Sequence, residues 1–233
     1  MVKFILYHKK FSHLDFLFLL LFSGLAIVVT GCESTPKPVD LELVDQSFIT
    51  DQTCEAPCWY GLEPGKSNET EVLDVLKKQP FVNQSMIETR SNVGIDAYKN
   101  ASEISYGCAS PIGSTCGFIL SVNGTVIYIS VIVQYPLSLS SVINRLGAPD
   151  YIFYSPNSPH GDGCRVTFNW TQKRISTVGL DQTSQRICLN LDEGKGLDPD
   201  FQIIELNYKS EDIALQNYCD HMNCKSWPGY IEE

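Results

Sequence analysis

The chain has 233 residues, of which 43% are hydrophobic and 11% aromatic, with nine cysteines and a formal net charge of -10. That much apolar and aromatic content excludes an intrinsically disordered chain. The acidic balance also excludes a protein that coats nucleic acid, because phosphates demand clustered Lys and Arg.

The first residues carry Lys3, Lys9 and Lys10 and lead into an almost uninterrupted apolar run from Phe16 to Val29. At 1.5 Å per helical residue this run covers about 21 Å, short of the ~30 Å hydrocarbon core, so it reads as a secretory leader rather than a permanent span. Val29-Thr30-Gly31-Cys32 directly follows. The segment resembles the bacterial lipobox, in which small residues fit the signal peptidase and the cysteine thiol accepts diacylglycerol. The resemblance implies a signal peptide over residues 1–31, lipidation at Cys32 and extracytoplasmic residence on a bacterial membrane. In a cell with two membranes, Glu33 after the cysteine permits sorting to the outer one. The mature chain is more acidic than the precursor and is repelled by anionic lipid, so attachment rests on acyl chains. Residues 32–53, with Pro36 and Pro38, read as a tether.

An exported chain meets an oxidising compartment, and eight cysteines remain after Cys32. Proximity along the chain pairs Cys54 with Cys58, Cys108 with Cys116, Cys164 with Cys188, and Cys219 with Cys224, although many other connectivities are formally open. Cys219-Asp220-His221-Met222-Asn223-Cys224 also offers metal ligands, but a second Cys-x-x-Cys knuckle is missing, so no metal is assigned. Cys54-Glu55-Ala56-Pro57-Cys58 has three intervening residues and is not the thioredoxin-type motif.

Two segments read as short amphipathic helices. Ser67 or Ser138 serves as N-cap, the apolar stripes are Val72, Val75, Leu76 and Leu139, Val142, Ile143, Leu146, and Gly147 with Pro149 stops the second. A shift of 70 superposes Val72, Leu73 and Leu76 on Val142, Ile143 and Leu146, which suggests duplication. Strand signals follow each helix. The first set is Met86 to Arg90, Glu103 to Cys108, Cys116 to Val122 and Thr125 to Val133, the last two joined by the hairpin dipeptide Asn123-Gly124. The second set is Tyr151 to Tyr154, Cys164 to Thr171, Arg186 to Leu191 and Phe201 to Tyr208. A third helix is expected at Ser210 to Tyr218. The sum is an α+β fold of two helix-plus-antiparallel-strand repeats, 54–135 and 136–233, with short helices packed on one face of a sheet.

Pro64-Gly65-Lys66-Ser67 running into Glu71-Val72-Leu73, and Ser138 running into Leu146-Gly147-Ala148-Pro149-Asp150, resemble the helical openings of the small outer-membrane-assembly lipoproteins of the SmpA/OmlA (BamE) type. The duplicated form resembles the tandem β-lactamase-inhibitor-protein-like fold. Lys77-Lys78-Gln79-Pro80 stands where the first repeat lacks the Leu-Gly stop. The resemblance implies a scaffold whose sheet binds protein partners.

Catalytic signals are sparse. His160-Gly161-Asp162 offers an acid–base pair without a nucleophile elbow or zinc-protease motif, so it reads as loop punctuation and no catalytic residue is assigned. The acidic loop Asp192 to Asp200 fails the EF-hand spacing, with Lys195 in its middle. Trp59, Tyr60, Trp227 and Tyr230 are candidate partner contacts, since Tyr and Trp combine contact area with a polar atom, but aromatics beside a disulfide or at a sheet edge more often pack in the core, and the aromatic tail is expected to pack on the domain. The functional expectation is a lipid-anchored, non-catalytic envelope protein without a cofactor. It binds an unidentified envelope protein and no nucleic acid. A small-molecule or ion binder is the alternative, and an envelope hydrolase the third reading.

Overall fold

A computed structural model describes residues 45–48, 54–94, 100–110, 114–155, 163–181, 186–211 and 224–230, all within the compact unit Asp40–Glu233. In chain order the elements are α1 (Glu69–Leu76), β1 (Val82–Ser91), β2 (Ala101–Cys108), β3 (Thr115–Val122), β4 (Thr125–Ser138), α2 (Leu139–Leu146), β5 (Tyr151–Ser155), β6 (Cys164–Trp170), β7 (Ile175–Asp181), α3 (Arg186–Asp192), β8 (Gln202–Lys209) and β9 (Cys224–Ser226). Among the described residues no helix is long and apolar enough to cross a membrane.

The nine strands form one sheet in the order β1-β2-β3-β4-β8-β7-β6-β5-β9, with every neighbouring pair antiparallel. This overturns the expectation of two helix-plus-strand repeats. β4 runs through position 135, where the boundary was expected. The edge that β3 leaves open is taken by β8, with Ile129 opposite Tyr208 and Val131 opposite Leu206. Left apart, the two halves would expose these apolar side chains and the unpaired backbone of both strands. Joined, they bury a continuous row across seven strands: Tyr106, Gly117, Val131, Leu206, Thr177, Phe168 and Ile152. The buried stripes of the helices, Val72 and Leu76 on α1, Leu139, Val142 and Leu146 on α2, and Cys188 and Leu191 on α3, belong to the same apolar cluster as this face.

Local signals account for the ends of the elements. Val122 pairs Thr125 around Asn123 (φ 50) and Gly124 (φ 79), the two positive values that a two-residue hairpin with type I′ geometry requires. Ser138 caps α2, its Oγ accepting from Ser141 N at 3.3 Å, and Gly147 (φ 80) ends it. The cap of α1 is Asn68 rather than Ser67. Asn68 Oδ1 accepts from Thr70 N and Glu71 N while Glu71 Oε2 accepts from Asn68 N, a reciprocal capping box. Ser67 instead closes a turn with Glu63 and accepts from Val126 N.

Residues 186–191, expected as a strand, are helical. Cys188 and Leu191 lie one helical turn apart and are both buried, whereas strand alternation would have paired Leu189, which is 57% exposed, with Leu191 on the inner face. β7 has no clear strand edges in the sequence because its buried residues include Ser176, Thr177 and Gly179. The helix expected at 210–218 falls, after Glu211, outside the described residues.

Three expected disulfides are present: Cys54–Cys58, Cys108–Cys116 and Cys164–Cys188. Cys224 is also disulfide-bonded, whereas Cys219 lies outside the described residues. The third bridge ties α3 to β6 across a sequence separation of 24. Chain-entropy arithmetic gives such a loop about 3.5 kcal/mol of stabilisation. Replacing both Cys164 and Cys188 with Ser is expected to lower the unfolding free energy by that order in urea titrations. Replacing Cys54 and Cys58, which close a far shorter loop, is expected to cost less.

Candidate functional site

Tyr60 (φ 48) and Gly61 (φ 86) turn the chain tightly, so that Trp59 and Leu62 exchange backbone hydrogen bonds at 2.9 and 2.8 Å. The turn drives Trp59 inward until it is fully buried. Its ring lies 5.9 Å from that of Tyr106 on β2 and 5.2 Å from that of Tyr60, which in turn packs 5.7 Å from Phe81. Trp59 is therefore a core residue and offers no contact to a partner. Trp227 and Tyr230 are half-buried, 5.8 Å apart, and packed against the body through Phe168 on β6 at 5.9 Å and a backbone bridge from Leu197 to Tyr230. Four strands separate β2 from β6 in the sheet, so the four aromatics do not make one surface.

Trp59 and Tyr60 converge on a residue that sequence reasoning missed. Asp45 is 6% exposed and accepts from Ser47 N at 2.8 Å, Trp59 Nε1 at 2.9 Å and Tyr60 Oη at 3.1 Å. Burial raises its carboxyl above the ordinary 3.8, outweighing these donors. Their own burial first, and the charge of Asp45 second, push the hydroxyls of Tyr106, Tyr135 and Tyr208 upward. The only local sequence signal was the Asp-x-Ser spacing of a side-chain turn.

Next to this node a pocket of about 380 Å³ opens between the segment holding Phe48, the end of β4 and α2. It is lined by Phe48, Tyr135, Pro136, Leu137, Ser141, Asn144 and Arg145, with the Arg145 guanidinium 5.2 Å above the Phe48 ring.

The opposite face of the sheet differs in kind. Register places Glu88, Ser105, Phe118, Ser130, Asn207, Ser176, Asn169 and Tyr151 in one row across it. Ser130, Asn207, Ser176 and Asn169 are buried. On the β3–β4 side Phe118, Leu120, Tyr128 and Ile132 are half-buried and stand outside the apolar core cluster. Phe118 and Tyr128 stack at 5.7 Å, Tyr128 Oη donates to Asn207 Oδ1 at 2.5 Å, and Ser130 Oγ donates to Glu205 Oε1 at 2.9 Å. Arg165 pairs with Glu205 at 3.3 Å. Lys209, opposite Tyr128, is brought down to about 8 by burial, against the pull of Glu205. Strand alternation was the available signal for this face, but an unassigned β7 and β8's distant pairing hid which residues share it.

The acidic loop holds its carboxylates apart. Asp192 accepts from Tyr154 Oη and pairs with Lys225, Glu193 pairs with Lys195, and Asp198 Oδ1 accepts from Asp200 N. Among the described residues no three His, Cys, Asp or Glu side chains are grouped to hold a metal. Cys32, His160, Asp162 and His221 lie outside the described residues. Comparison with protein-family models, curated proteins and solved structures gave no match.

Because the folded chain binds a proton at Asp45 more tightly than the unfolded chain does, stability falls as pH rises from 3.8 through the raised value. Unfolding free energies of the native chain and of Asp45→Asn, measured across that interval, are expected to diverge in this sense, with the slope absent from the variant. Asp45→Ala is expected to cost about 1–3 kcal/mol by leaving Trp59 Nε1 buried and unpaired.

Proposed function

We propose that the protein is a lipid-anchored extracytoplasmic protein that binds an envelope protein, without chemistry of its own, through the β3–β4 part of the sheet surface. The basic, apolar and small-residue order ending at Cys32 supports the anchor. Three disulfides support residence where thiols oxidise. One observation carries the binding surface. Phe118, Leu120, Tyr128 and Ile132 are large, half-buried and adjacent, yet none packs into the core cluster, and charged groups at Glu103, Arg165 and Glu205 surround them. An apolar and aromatic centre with a charged rim is the composition of a protein interface.

The anchor is tested by mass spectrometry of the protein from membranes. The expected species begins at a diacylglyceryl-modified Cys32, and Cys32→Ala moves the protein to the soluble fraction. An intact leader would contradict it. The surface is tested by photocrosslinking from positions 118 and 128, with Leu189 on α3 as control. The same discrete adduct is expected from the first two positions and not from the third. Phe118→Asp together with Leu120→Asp is expected to lower the yield from position 128 by roughly tenfold or more, as loss of a central apolar contact does. An adduct formed equally from Leu189 would contradict the assignment.

The pocket beside Phe48 favours a second reading, a binder of a small ligand. Its apolar walls and single guanidinium suit an anion with an apolar body. Chemical-shift changes at Tyr135 and Ser141 on titration with hydrophobic carboxylates, absent with the matching amides, would raise this reading above the first.

A further inference from the structure

β1 is the outermost strand of the sheet, and among the described residues only β2 pairs with it. Alternate residues along it aim N–H and C=O groups away from β2, toward a side on which no strand pairs with them among the described residues. Its pairing with β2 is irregular between Asn83 and Glu88 and regular from Glu88 to Ser91. Charges on an edge strand usually deter pairing. Here the only two charged residues of β1 are of opposite sign, Glu88 and Arg90, each with its side chain 63% exposed. They flank Thr89 and share one face, since two residues separate them along the strand.

This spacing is self-complementary. In an antiparallel pair related by a two-fold axis through Thr89, Glu88 of each copy stands opposite Arg90 of the other, twice, and Ile87 stands opposite Ser91. Centring the axis on Glu88 or on Arg90 instead sets like charges directly against each other, which is unfavourable. We infer that the β1 edge is a homodimerisation site, at which a second copy of this chain adds its own β1 antiparallel about Thr89 and extends the sheet across both molecules.

The segment that pairs regularly is short, so the dimer is weak in solution. The Arg90–Glu88 contact within each chain, 3.1 Å long, is given up, so two contacts within chains are exchanged for two between them. The opposed charges therefore fix register and partner more than they add affinity. Confinement to a membrane surface raises the effective concentration of both copies and favours pairing. The pairing itself depends on neither the anchor nor a partner bound at Phe118 and Tyr128, because it is made through the backbone edge of β1, although Arg90 stands opposite Glu103, at the rim of that surface, across the β1–β2 pair.

The test uses full-length chains carrying two different tags, co-expressed and solubilised in mild detergent, with recovery of one tag through the other as the readout. The native chain is expected to be recovered with its differently tagged copy. Glu88→Arg alone, or Arg90→Glu alone, sets like charges opposite one another twice and is expected to reduce recovery roughly tenfold. The double variant carrying both changes restores opposite charges and is expected to recover pairing. A Glu88→Arg chain co-expressed with an Arg90→Glu chain is likewise expected to pair, even though neither pairs with itself. A native chain that is monomeric at every concentration, or single reversals that pair as well as the native chain, would overturn the inference. If one reversal failed to fold, the double variant against the native chain still decides, because those two chains pair with themselves and not with each other.

Discussion

The pairing of β4 with β8 is the constraint on which the remaining structure depends. Each strand has one neighbour within its own half of the chain, β3 and β7 respectively, and each turns its second edge to the other. Ile129 and Val131 meet Tyr208 and Leu206 on the apolar face, and Tyr128 and Ser130 meet Lys209 and Asn207 on the polar one. Backbone hydrogen bonding and burial on one side are satisfied by the same contact. Tight packing reinforces it: a Cβ at Gly117 would come within 2.1 Å of Ser130 O and 2.5 Å of Tyr106 Oη, and one at Gly179 within 2.2 Å of Phe201. Glycine at these places lets large rings lie flat on the neighbouring strand.

Both candidate surfaces follow from this join. On the helical side, Tyr208 of β8 is brought beside Tyr135 of β4 and Tyr106 of β2, and Asp45 sits among their hydroxyls, with the pocket at Arg145 opening alongside. On the other side, Glu205 and Asn207 of β8 complete a surface whose aromatic part, Phe118 and Tyr128, comes from β3 and β4. A sheet that buries polar Ser130, Asn207 and Ser176 in the middle of one face is not using that face as a second hydrophobic core.

What the sequence revealed was local. Asn123-Gly124 announced its hairpin, the stripes at Val72 and Leu76 and at Val142 and Leu146 announced two helices, and three of the four expected cysteine pairs formed as spacing suggested. In each case the deciding contact spans a few residues, or a few tens at most. The sheet's centre was not legible, because Ser130 and Glu205 are 75 positions apart and nothing in either segment names the other. Similar helices each followed by strands suggested repetition, but such a pattern is equally compatible with halves fused edge to edge. Arg186 to Leu191 misled because its apolar residues fit both periods until the Cys164–Cys188 bridge and burial chose the helix. In sequence Trp59 reads either as core or disulfide packing or as a partner contact, and only its contacts with Asp45 and Tyr106 decide for the core.

The most direct measurement is amide hydrogen exchange across a denaturant series with the disulfides intact, read residue by residue. One continuous sheet predicts that the amides of β4 and β8 exchange only through global unfolding, with the same denaturant dependence as those of β2, β3, β6 and β7. Early exchange at β4 and β8, with the flanking strands opening as two units of unequal stability, would contradict the account.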